Sequence, residues 1–170
     1  MRGLAHVGII ALVDEATGFQ NERARDALAQ ILEKLIAKEL QPYVRAFPID
    51  FFRELCRLRD IRFREDMRLP PYFGKIVNSL VYCRLAPGVL EELQRRNPVT
   101  EVGRRKDKHY RYLTENVGHP KLLQLLGSEV TLMRMSATWD EFKELVDKYH
   151  PPFKSLPLFE WAESADRSDQ

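Results

Sequence analysis

Leu28, Ile31, Leu32, Leu35, Ile36 and Leu40 recur at three- and four-residue spacing, and Glu22, Arg23, Arg25, Glu33, Lys34 and Lys38 occupy the other side. A stripe of that period closes into one face on an α-helix and on nothing else. Further apolar runs follow along the chain, and proline opens or ends them: Pro42, Pro48, Pro70-Pro71, Pro87, Pro98, Pro120 and Pro151-Pro152. Proline lacks an N–H and fixes φ, so it is tolerated at a helix start and expelled from a helix interior. The pattern predicts an all-α fold of six or seven helices. One stretch, Ile61 to Arg64, alternates instead and could form a short strand.

Gly3 to Ala16 is apolar on nearly every side. A helix of that kind belongs at the centre of a bundle, so the others are expected to surround it. Asn21 is a candidate cap for the next helix. Phe47-Pro48 opens a short helix with Phe51, Leu55, Cys56 and Leu58 on its apolar side, and Phe73 to Cys83 reads as helical. Pro87 suits the first position of a helix carrying Val89, Leu90 and Leu93. Gly118-His119-Pro120 opens another, and Thr138-x-x-Glu141 is a capping box for a last one in which Trp139 serves packing.

At 170 residues the chain fits one domain, residues 1–153, with an extension at 154–170 that holds an apolar strip (Phe153, Leu156, Leu158, Phe159, Trp161) and a polar, disordered tail. The two cysteines, Cys56 and Cys83, have no metal-ligand spacing and read as buried free thiols of a reducing cytoplasm. The run Val7–Val13 is too short to span a bilayer and ends in Asp14-Glu15 rather than a cleavage site, so neither membrane nor secretion is expected.

The formal net charge is only +2, yet from Arg95 to Arg111 seven Arg and Lys face Glu101 and Asp107 alone. Arg95 and Arg96 close a helix whose first turn carries Glu91 and Glu92, as the helix dipole favours. Arg104, Arg105, Lys106 and Lys108 follow Gly103 in a segment without periodicity, where no helix end accounts for them. These four, with Arg111, are the candidate phosphate contacts, and Tyr110 or Tyr112 the candidate stacking rings. His109 either adds a ring donor or caps a turn. The bland alternative is a solvated basic loop. Asp14 and Glu15 oppose the dipole at the end of the first helix; an ion pair with an arginine of the basic loop is favoured over a functional role.

Several stretches carry a resemblance: RLAPGVLEEL, R-N-P, G-R-R-K-x-K-H and L-T-x-x-x-G-H-P-K-L from Arg84 onward, RGLAHVGIIALVDEATGFQ at 2–20, FPIDFF at 47–52 and SATWDEFKELVDKYHP at 136–151. Together they resemble the bacteriophage p-sixty-three C-terminal domain family over roughly the first 150 residues. The resemblance implies phage or prophage biology in a bacterial host, a module usually C-terminal to other regions, and kinship with regulators associated with nucleic acid or abortive infection.

No Walker-type or dinucleotide-type glycine loop is present, and the four histidines, at 6, 109, 119 and 150, lack metal spacing, so neither cofactor nor metal is expected. An enzyme would need Asp14, Glu15 and His109 or His119 to converge. A nucleic-acid-binding, regulatory or defence-related module is the favoured reading. The alternative is a protein-interaction module, forming a homodimer or holding a partner through the Leu28–Leu40 face or the Phe153–Trp161 strip.

Overall fold

The computed structural model describes residues 19–42, 46–101 and 103–153. The expected central helix at 3–16, the Asp14-Glu15 pair and the strip beyond Phe153 lie outside the described residues. Within them the fold is all-α: α1 (Phe19–Leu35), α2 (Ile49–Leu58), α3 (Phe73–Val77) running through a π-helical turn (Asn78–Tyr82) into α4 (Cys83–Leu85), α5 (Val89–Arg96), a 3₁₀ turn (His109–Tyr112), α6 (Gly118–Met135) and α7 (Trp139–Tyr149). Among the described residues there is no strand, only two isolated antiparallel bridges, Ile36 with Leu113 and Val99 with Arg105.

Helix α6 is the spine. Leu122, Leu126 and Met133 are fully buried along it, against Phe51, Leu55 and Cys56 of α2 on one side and Phe142 and Val146 of α7 on another. Burying aliphatic and aromatic side chains of this size contributes about 1.5–3 kcal/mol each, which is the main term opposing chain entropy. Thr114 fixes where α6 starts. Its hydroxyl donates to the Lys34 carbonyl at 2.6 Å and accepts from the Gly118 N–H at 2.9 Å, locking the end of α1 to the start of α6. Glycine is required at 118, since a Cβ there would collide with the Leu35 carbonyl oxygen and lie 2.9 Å from the Leu113 Cβ. The capping box at α7 forms: Thr138 accepts from the Glu141 N–H at 3.2 Å, and Glu141 reaches back to the Ala137 N–H at 2.7 Å.

Four local expectations are corrected. Ile61–Arg64 is irregular rather than a strand, having no partner strand to pair with among the described residues. Asn21 is not a cap, because α1 already begins at Phe19. Phe73–Cys83, by contrast, is helical as expected, with a π turn at Asn78–Tyr82. Pro87 does not open α5: Gly88, at φ +70°, makes a left-handed turn first, and the helix begins at Val89. Gly88 sits under Leu28 and Leu32, whose methyls would be 3.3 and 3.7 Å from a Cβ. The stripe is thus partly spent on α5, and α1 ends at Leu35, short of the expected Leu40: Ile36 is buried in a bridge to Leu113 and Leu40 is exposed outside the helix.

Candidate functional site

The segment Asn97–Lys108 carries the basic cluster and is built on one buried side chain. Asn97 ends α5 at 2% exposure; its amide donates to the Asp107 carbonyl at 2.7 Å and its oxygen accepts from the Asp107 N–H at 3.4 Å. Thr100 closes the outer turn, its N–H and hydroxyl both donating to the Arg104 carbonyl at 2.7 and 2.6 Å. Gly103, at φ +75°, donates to the Thr100 carbonyl at 2.8 Å. That left-handed position suits glycine, which has no Cβ to clash there.

Exposure then alternates. Arg104, Lys106 and Lys108 are exposed, whereas Arg105 and Asp107 are half-buried and His109 is buried. Arg105 donates to the Asn97 carbonyl, and Arg111 pairs with Asp107 while its Nε donates to the Gln41 carbonyl at 3.0 Å. The structure therefore divides the six predicted contacts. Arg104, Lys106 and Lys108 stand outward with no side-chain partner among the described residues. Arg105 and Arg111 hold the loop together. His109 is corrected as a surface donor: its ring lies edge-on to Tyr82 at 5.2 Å, and neither ring nitrogen has a hydrogen-bond partner among the described residues. Burial, and then the Arg105 charge, pull its pKa down to about 4, so it is neutral at physiological pH.

The rings named as stacking candidates are also turned inward. Tyr110 is 7% exposed and packs near Phe47 and the His119 ring, and Tyr112 is half-buried. Arg95 and Arg96 are spent as expected: Arg95 forks onto Glu92 at 2.7 Å through both Nε and Nη2, and Arg96 reaches Glu92 and the Ala37 carbonyl at 2.6 Å each. The hydrogen bond from Arg95 leads the effects that hold the Glu92 carboxyl down to about 2, against a smaller opposing effect of burial.

Two buried charged groups escaped sequence reasoning. Arg84 donates to the Ser79 carbonyl at 3.0 Å and to the Val146 and His150 carbonyls at the end of α7, and pairs with Asp147 at 2.5 Å. In sequence it stands alone among apolar neighbours, Tyr82, Cys83, Leu85 and Ala86, and nothing there names its partners. Glu129 is fully buried in α6 with neither carboxylate oxygen hydrogen-bonded among the described residues, and burial pushes its pKa up to about 8 against the opposing pull of Arg84. The spacing Leu122, Leu126, Glu129, Met133 would have placed it on the core face. Among the described residues no three His, Cys, Asp or Glu side chains form a metal cluster. No helix among them is long and apolar enough to cross a membrane.

The family model described as the p-sixty-three-C domain matches residues 31–122. The chain belongs to this family. The matched segment runs from the stripe of α1 to the first turn of α6, so the family unit contains the whole Asn97–Lys108 loop. No curated protein and no solved structure matches the chain.

Proposed function

We propose that this domain is a non-enzymatic nucleic-acid-binding module of phage or prophage biology, regulatory or defence-related, that meets the phosphate backbone through Arg104, Lys106 and Lys108. The observation that carries the reading is the alternation within the loop. The outward cations are unpaired among the described residues, while the inward residues, Arg105, Asp107 and His109, anchor the segment to Asn97 and Tyr82. A loop held at both ends presents its charges with little ordering left to lose on binding, and phosphate contacts of this sort gain affinity by releasing counterions. With no base-reading helix among the three residues, discrimination between sequences is expected to be weak. Fluorescence anisotropy with labelled DNA and RNA at low salt tests this. The wild-type chain should bind, and the Arg104→Ala/Lys106→Ala/Lys108→Ala variant should lose binding with its melting temperature unchanged. A wild-type chain that binds neither nucleic acid defeats the reading.

A further inference from the structure

At the far end of α2 from the loop, Arg59 lies over two rings, its guanidinium carbon 5.0 Å from the Trp139 centroid and 5.8 Å from that of Tyr72. The three residues come from separate parts of the chain, and each is fixed to the core. Arg59 ends α2, its backbone N–H bonded to the Cys56 carbonyl. Tyr72 follows Pro70-Pro71 and packs on buried Phe73 at 5.1 Å. Trp139 opens α7 and packs on buried Phe142 at 5.6 Å. Rings that close are within range of a cation–π attraction, which engages the face of the guanidinium and leaves the N–H donors in its plane. Those donors have no hydrogen-bond or acidic partner among the described residues, in contrast to Arg53, Arg57, Arg64 and Arg134, which are all ion-paired. Arg62 and Arg68 in the connection from α2 to α3, and Lys75 in α3, are likewise exposed and unpaired among the described residues. Tyr72 keeps 41% of its surface exposed.

From this juxtaposition we infer that Arg59, Tyr72 and Trp139 form a second contact, one for single-stranded nucleic acid, in which a phosphate meets the Arg59 donors and a base stacks on Tyr72. The inference rests on the nucleic-acid reading above. A single strand matches the site because it offers phosphates and bare base faces together, whereas a duplex hides its faces and an acidic peptide would leave the exposed ring unused. Phe47, just before α2, packs on Tyr110, which follows the basic loop, and the ten residues of α2 run about 15 Å from there toward Arg59.

The test uses the full chain with Trp161→Phe, which leaves Trp139 as the sole tryptophan reporter. Short oligothymidylate should quench Trp139 fluorescence, and a duplex of equal length should not. Arg59→Gln, Arg59→Lys and Tyr72→Ala should each weaken oligothymidylate binding about tenfold, with duplex affinity and melting temperature unchanged; Tyr72→Phe should bind as wild type. If well-folded Arg59→Gln and Tyr72→Ala chains bind oligothymidylate normally while the loop variant does not, the ring site is overturned and the loop reading stands. If wild type binds no nucleic acid, both fall. Quenching by poly-glutamate in place of oligothymidylate would overturn the assignment in favour of an acidic protein partner.

Discussion

The side-chain amide of Asn97 and the backbone of Asp107 bond to each other in both directions, the amide donating at 2.7 Å and its oxygen accepting at 3.4 Å. Together with the Thr100–Arg104 turn and the Arg105 and Arg111 contacts, this buried residue anchors the loop from which Arg104, Lys106 and Lys108 stand outward.

Replacing Asn97 therefore disturbs the loop without changing its charge. Asn97→Ala is expected to cost about 1–3 kcal/mol in urea unfolding, because the Asp107 backbone groups lose their partner. Trypsin should cut at Arg104 or Lys106 faster than in wild type. Unchanged stability and digestion would mean that the loop is held by other means.

The buried Glu129 makes stability fall as pH rises. Its folded pKa of about 8 lies above the ordinary 4.5, so its contribution is fully present below about 4.5 and is lost progressively as pH climbs toward 8. The slope over that window is about 1.4 kcal/mol per pH unit at most. Glu129→Met, which fits a similar volume, should flatten it and stabilise the chain at pH 8 far more than at pH 5. Urea midpoints of both chains across pH decide the matter.

His109 acts in the opposite direction. Its folded pKa of about 4 lies below the ordinary 6.5, so the stability it confers as a neutral ring is present above about 6.5 and is lost as pH falls toward 4. Between about 4.5 and 6.5 the two slopes oppose, so each is read as a difference between variant and wild type. His109→Phe should remove the acid-side loss in thermal melts at pH 4.5 relative to pH 7.

Gly118→Ala places a methyl against the Leu35 carbonyl and the Leu113 side chain. Overpacking of that kind should destabilise by roughly 1–3 kcal/mol. Gly127→Ala, on the same helix with open space around it, should be neutral or mildly stabilising, and differential scanning calorimetry separates the two.

Much of this fold was legible in the sequence because helix signals are local. The stripe from Leu28 to Leu35, the start at Gly118 and the capping box at Thr138 each depend on residues a few positions apart and appear in place, whereas Ile36 and Leu40 fall beyond the end of α1. The charges of the candidate site were legible as a cluster, but their directions were not. Arg105 turns in to the Asn97 carbonyl because the irregular turn between them folds back, which no periodicity announces, and His109 turns in because Tyr82, distant in sequence, meets it there. Arg84 and Glu129 were missed for the same reason, since burial of a charge is decided by tertiary neighbours such as the carbonyls ending α7.

The central claim is that three outward cations meet phosphate, and the salt dependence of affinity tests it most directly. Plotted as the logarithm of the binding constant against that of salt, wild type should fall with a slope steeper than the Arg104→Ala/Lys106→Ala/Lys108→Ala variant by about 2–3, close to one for each lost contact. Parallel lines for two equally folded chains would contradict it.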